Sequence, residues 1–402
     1  KSDTKGDIFD TIVFANRSIQ RATIPKFIKY IKPYAFEYCK ILNTIEFSED
    51  SEIVSIGKNA FRNSCIESIN IPSSLEEWSA YDSNLKEITI SPSNKNFGYL
   101  DDKHQIIIGK SDTKSDIFDT IVFANRDIEK ATISKIIKYI KPYAFCKCKK
   151  LNQVDFSENS ELLIIGKCAF PDTPIEIIRI PKSVIDIGEC AFFHCDQLRK
   201  VSLEEGSNLI SLQTNTFGNN RELITFEIPR DSKLQNICSQ AFYFSGIINI
   251  FIPENVSKID PEWCNLSSVS KVTVSPSNRH FKYLDERHQI IVGKSDTKSD
   301  IFDTIIFVDR SSTHITIPKF IKYIYSSAFE NCNSLSEIEI PEDSEIDTIP
   351  IYFANKHITS LFIPKNVERM KSLWCCLAYI LNNVIISPSN KNFKYLDDEH
   401  QI

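Results

Sequence analysis

Twelve cysteines and seven histidines are the side chains of this 402-residue sequence that could bridge, ligate a metal, or act as nucleophile and base. The cysteines fall into a frame. Cys39, Cys148, Cys195 and Cys332 each stand three residues after the phenylalanine of an Ala-Phe pair and three before a leucine, and Asn220 takes the same slot in another copy. A small side chain repeated at one frame position can bond the open backbone of a turn, which reads as a structural ladder of free thiols. A second reading is one bridge between neighbouring copies, Cys168 to Cys190. These share a frame position, and stacked strands about 4.8 Å apart lie inside the Cα range of a disulfide. A third, a metal centre, lacks a second ligand pair at zinc-like spacing beside Cys146-Lys147-Cys148 or Cys375-Cys376. No metal ligand is assigned and no cofactor is expected.

An enzyme needs unequal groups brought together, such as a nucleophile with a base and a group that orients the base. His104, His288 and His400 are one position copied three times with its surrounding text, and so read as turn residues. His194, His280, His314 and His357 are scattered without a matching Asp or Cys frame. Glycine numbers ten and forms no phosphate-cradling loop. The expectation is a protein without catalytic residues.

The elements that position these residues repeat. A phrase alternating polar and apolar residues, as a half-buried strand does, recurs as Thr44-Ile45-Glu46-Phe47, Lys200-Val201-Ser202-Leu203 and Glu337-Ile338-Glu339-Ile340. Its last apolar residue marks Ile24, Phe47, Ile71, Ile90, Ile133, Phe156, Ile180, Leu203, Ile228, Ile252, Val274, Ile317, Ile340, Ile363 and Ile386. Neighbouring markers lie 22 to 25 residues apart, with one interval of 19 and two of 43. A fixed period in the twenties is the mark of a solenoid, whose coils cannot bury their apolar face alone. Most phrases are followed by proline, which cannot donate to a ladder and closes the strand.

The unit Ile-Pro, apolar, Ile-Gly, Ala-Phe, Cys-x-x-Leu resembles the BspA-like class of leucine-rich repeats, a family of surface proteins of mucosal bacteria and trichomonad-type protozoa. Ala-Phe occurs at Phe36, Phe61, Phe145, Phe170, Phe192, Phe242 and Phe329, and the resemblance covers almost the whole chain. It implies a leucine-rich-repeat solenoid, mostly β, with a continuous parallel sheet of about fifteen short strands, irregular or 3₁₀ outer turns and β-hairpin insertions. At ~4.8 Å per strand such a sheet would run roughly 70 Å.

A larger repeat lies above the small one. Near-identical text begins at Lys1, Lys110 and Lys294, dividing one solenoid domain, 1–402, into blocks 1–109, 110–293 and 294–402. Spacers at 93–132 and 277–316, with half-spacers at 1–23 and 389–402, read as hairpin insertions. Trp78, Trp263 and Trp374 each precede a spacer, near where other coils put the Ala-Phe phenylalanine, and read as packing rather than ligand binding. Lys141 to Cys146 could form one helical or 3₁₀ turn.

A net charge of −6 without a basic run argues against nucleic acid. No apolar run reaches the ~18 residues of a membrane span, and Lys1 begins in mid-repeat, so the chain reads as part of a longer protein. Its cut halves, Asp7 to Phe14 and Phe393 to Ile402, are complementary, and head-to-tail self-association through them is expected. Sequons at Asn16, Asn255 and Asn265 are compatible with secretion.

Alternation turns one side of each strand to solvent. There Ile177, Arg179, Lys200, Thr225, Glu227, Asn249, Phe251, Lys271, Phe362 and Ile385 are expected to bind a ligand, because exposed large apolar groups among mixed polar ones mark contact surfaces. The other reading of Phe251, Phe362 and Ile385 is packing under a neighbouring hairpin. The resemblance implies a non-enzymatic adhesion module at the cell surface or secreted, engaging a protein or glycoprotein of host or matrix. The rival is an intracellular scaffold or sensor for endogenous partners, which free thiols permit.

Overall fold

The structure is a computed structural model, which describes residues 9–78, 85–350 and 352–396. It divides into two compact units, 1–200 and 201–402. Each unit is a β-solenoid, and no helix occurs among the described residues.

In the first unit the longer strands follow the alternating phrases. Arg21–Ile24 pairs in parallel with Thr44–Phe47, Ser68–Ile71 with Glu87–Ile90, and Lys130–Ile133 with Gln153–Phe156. Parallel neighbours require a crossover, and here the crossover is the rest of the coil. Part of it forms a second parallel ladder of two-residue strands, in which Tyr30–Ile31 pairs with Ser55–Ile56 and Tyr139–Ile140 with Ile164–Ile165. The second unit repeats the plan, with Asn249–Ile252 beside Lys271–Val274 and Ser360–Ile363 beside Asn383–Ile386.

Each spacer is a three-stranded antiparallel insertion. Phe97–Tyr99, Ile106–Gly109 and Thr120–Ala124 zigzag, and the last then pairs in parallel with Tyr139–Ile140. Phe281–Tyr283, Ile290–Gly293 and Thr304–Val308 do the same before Tyr323–Ile324. Tyr99 shows how the insertion is fastened: its hydroxyl accepts from Ile90 N and donates to Ile88 O.

The outer turns are not helical, because left-handed residues stand four apart around six of the seven Ala-Phe pairs. Examples are Tyr143 and Lys147 (φ 64° and 60°), Cys168 and Asp172 (49° and 60°), and Cys190 and His194 (55° and 59°). Each such conformation costs on the order of 1–2 kcal/mol for a non-glycine residue, and hydrogen bonding offsets it. Amides of Tyr143, Phe145 and Lys147 donate to Lys167 O, Ala169 O and Pro171 O of the next coil, while those between them close turns within the coil. The expected helical or 3₁₀ turn at Lys141 to Cys146 is therefore an alternation that serves two coils at once.

The core follows the frame. Phe145, Phe170 and Phe192 are fully buried and stack, with ring centroids 4.7 and 5.1 Å apart. Cys39, Cys148, Cys195 and Cys332 are buried, and their thiols face backbone carbonyls such as Asn125 O and Phe170 O. The slot can be filled otherwise: Asn220 Nδ2 donates to Phe217 O and Ser64 Oγ to Phe61 O. An arginine from each spacer half closes the edge of this core. Arg17, Arg126 and Arg310 lie over Phe14, Phe123 and Phe307 and donate to Cys39, Cys148 and Cys332.

The tryptophans do not share one slot. Trp78 stands in register with Ile56, in the short ladder. Trp263 takes the alanine position, since Phe242 N donates to its carbonyl as Phe217 N donates to Ala241 O. The Trp78 indole packs on Phe123 of the first insertion, with ring centroids 5.8 Å apart, and the Trp263 indole meets Phe242 of the neighbouring coil edge-on.

Beyond the second insertion the stack resumes through side chains as well as through the backbone bond from Arg310 N to Ser270 O. Tyr325 Oη donates to Ile259 O, Ser327 Oγ to Pro261 O, and the Glu330 carboxylate accepts Leu266 N through both oxygens, each at 3.0 Å. Burial raises the Glu330 carboxyl above its usual 4.5, with the Leu266 amide and the Arg310 charge opposing it. A carboxyl raised on folding favours the protonated state, so its contribution is complete below the unfolded value and is lost as pH rises through the folded one. Glu330→Gln, which keeps an acceptor and removes the charge, is expected to gain stability relative to the wild type as pH rises past 4.5. Paired thermal melts at acid and neutral pH check this, and a pH-independent difference refutes it.

The segments expected to self-associate are only partly described, since 7–8 and 397–402 lie outside the described residues. Phe9, Val13, Phe14 and Leu396 are exposed. Tyr395 is tied to its own coil, donating to Val384 O and accepting from Ile386 N.

Candidate ligand-binding face

The longer strands turn alternate side chains to solvent, as the pleat requires. In the first unit Ile177 is 59% exposed and Arg179 is also exposed. Lys200 is half-buried, and its amide donates to Glu176 O, which brings it beside the strand of Ile177.

In the second unit Thr225, Asn249 and Lys271 are register partners and form one row. Phe251 stands two residues on, opposite Thr273, and is half-buried, whereas Glu227 is exposed. Phe362 and Ile385 are likewise register partners, and Ile385 is 44% exposed. Thus the structure gathers Thr225, Asn249, Phe251 and Lys271 on paired strands, and pairs Phe362 with Ile385.

The sequons differ in setting. Asn16 is exposed and its side-chain oxygen accepts from Ser18 N. Asn255 uses its amide nitrogen to hold Ser232 O of the previous coil, and the amide oxygen of Asn265 is buried.

Two histidines depart from the expectation that they lack acidic partners. His194 Nδ1 lies 2.8 Å from Asp172 and His314 Nδ1 lies 3.1 Å from Glu337. These partners sit 22 and 23 residues away, one coil along, so the shared frame position was the signal that could have found them. All twelve cysteines are unbridged. The Cys168 thiol is held down to about 7, first by a hydrogen bond with Cys190, whose own thiol that bond and burial push up.

The second insertion also bounds a cleft of about 910 Å³, walled by Tyr283, Leu284, Phe302, Ile315, Pro318 and Phe320, with Lys282 and Arg287 among its charged groups. Sequence periodicity gave no sign of it, because its walls come from the hairpin and from the strand that follows.

A profile of the BspA type leucine-rich-repeat region matches residues 8–100, 116–230, 163–284 and 297–396, in six copies. The chain belongs to the BspA-type leucine-rich-repeat family. No curated protein matches the sequence. Among solved structures, the pneumococcal vaccine antigen PcpA is similar at 16% identity, covering 95% of this chain and 79% of that one, with a TM-score of 0.45. A leucine-rich repeat protein from Eubacterium ventriosum is similar at 18% identity, covering 65% and 81%, with a TM-score of 0.49. A leucine rich cell surface protein from Faecalibacterium prausnitzii is similar at 19% identity, covering 94% and 90%, with a TM-score of 0.44. Among the described residues, no helix of this BspA-type chain is long and apolar enough to cross a membrane.

Proposed function

We propose that this BspA-type chain is a non-enzymatic binding module of a cell surface, presenting the outward side chains of its longer strands to a protein or glycoprotein of host or matrix. The observation that supports this reading is the order of the exposed face. In the second unit the large apolar groups Phe251, Phe362 and Ile385 stand on register-matched strands among polar neighbours. Aromatic anchors amid mixed polar groups carry most of the energy of protein contacts, on the order of 2 kcal/mol or more each. Glycan attachment at Asn16 would suit a secreted setting.

The test is binding of the chain to immobilised epithelial-surface and matrix glycoproteins by surface plasmon resonance. Phe251→Ala with Phe362→Ala is expected to weaken binding at least tenfold while leaving the melting temperature nearly unchanged. Equal binding by the double variant excludes this face.

A second reading, an intracellular scaffold for endogenous partners, draws support from twelve unbridged cysteines, a pattern typical of reducing compartments. Labelling of intact source cells with an impermeant reagent separates the two, since only a surface protein is labelled.

A further inference from the structure

We propose that His314, Glu337 and Glu339 form a binding site for a first-row divalent cation, with zinc the foremost occupant, independent of the adhesion reading. His314–Thr316 and Glu337–Glu339 are parallel strands with His314 opposite Glu337 and Thr316 opposite Glu339. Alternation turns all four of these side chains to one face. His314 Nδ1 lies 3.1 Å from Glu337 Oε2, His314 Nε2 lies 3.5 Å from Glu339 Oε2, and one ligand atom from each of the three residues falls within 4.8 Å of the others. Each ring nitrogen faces its own carboxylate, so a single ion would take one of the two. Two donors about 2.1 Å from a tetrahedral ion stand roughly 3.4 Å apart, a spacing that the three ligand atoms reach by closing in from within 4.8 Å. Both glutamates are exposed, and closing them on one ring nitrogen takes only side-chain rotation. Thr316 Oγ1 donates to Glu339 Oε2 at 2.7 Å, the outer contact that orients a ligating carboxylate.

Charge points the same way. On this face in the first unit a carboxylate meets a cation, as Glu46 meets Arg21. Among the described residues, His314 is the one basic group within ion-pair distance of Glu337 or Glu339. Two carboxylates around one imidazole leave negative charge that a divalent ion neutralises. The corresponding paired strands after the first insertion carry Lys130, Thr132, Gln153 and Asp155 instead, so the cluster is particular to the last block and not a by-product of the repeat. His314 and Thr316 also form part of the wall of the 910 Å³ cleft, where the remaining coordination positions would be open to an oxygen donor.

Imidazole with carboxylate suits cobalt, nickel, copper and zinc, whose affinities rise to copper and fall at zinc, so zinc is foremost because exposed exchangeable sites meet it more often than copper. Cobalt is the probe that separates this site from the thiols. The full chain, with exposed cysteines alkylated, is titrated with Co²⁺ and the ion is then displaced by Zn²⁺. One Co²⁺ is expected to bind with visible d–d bands and no sulfur-to-metal charge-transfer band. His314→Gln and the pair Glu337→Gln, Glu339→Gln should each weaken binding at least tenfold. Zinc should raise the melting temperature of the wild type and not of the variants, whose metal-free melts match the wild type because the side chains are solvated. Equal cobalt binding by wild type and variants, or a bound ion with the sulfur band, overturns the assignment.

Discussion

Phe170→Ala is expected to destabilise the middle of the first unit by about 3–5 kcal/mol, the range for emptying a phenylalanine site in a core that cannot close over the cavity. The ring is fully buried between Phe145 and Phe192, at 4.7 and 5.1 Å and within 10° of parallel. Its coil cannot collapse into the space, because Phe170 N is bonded to Ala191 O and Phe145 N to Ala169 O, and both bonds hold the spacing of the stack. A solenoid loses stability locally, so a single global midpoint would understate the effect. Hydrogen exchange at the Phe145 and Phe170 amides reads it directly, with protection expected to fall by a factor of roughly a hundred to several thousand, taking 1.4 kcal/mol per tenfold. Unchanged protection there removes Phe170 from the core.

Gly246→Ala is expected to be as damaging for the opposite reason. An added methyl group would stand 2.2 Å from Arg221 O and 3.3 Å from Leu223 O. These are backbone atoms of the previous coil, which Gly246 itself contacts through its amide bond to Asn220 O. The turn here is short: Ser245 and Ile247 bracket one residue, where Asn220 and Leu223 bracket two. Overpacking typically costs 1–3 kcal/mol and more when nothing can move aside, so about 3 kcal/mol or above is expected. Guanidinium unfolding of the variant should begin well below that of the wild type; coincident curves would show that the coil has room which the backbone distances deny.

Much of the fold was legible because solenoid patterning is local. Side chains alternate along a strand with period two, so Ile69, Val154 and Ile250 had to face inward once Ser68, Gln153 and Asn249 faced out. The frame likewise placed Cys39, Cys148, Cys195 and Cys332 in the core. The short second ladder was not legible. Pairs such as Tyr139-Ile140 and Ile164-Ile165 are too brief to show a period, and they become strands only through bonds to the coils beside them.

The sequence by itself determined the coil, its inward face and the positions of its insertions, since each follows from residue types within one period of about 23. Tertiary structure decided what meets across coils. Register set His314 against Glu337, Thr316 against Glu339, and Phe362 against Ile385, although each of these residues read alone as an ordinary outward position. Bonding between coils decided that Trp78 lies in the short ladder and Trp263 in an alanine slot. Such contacts depend on how one coil lies on the next, which no pattern within a single coil encodes.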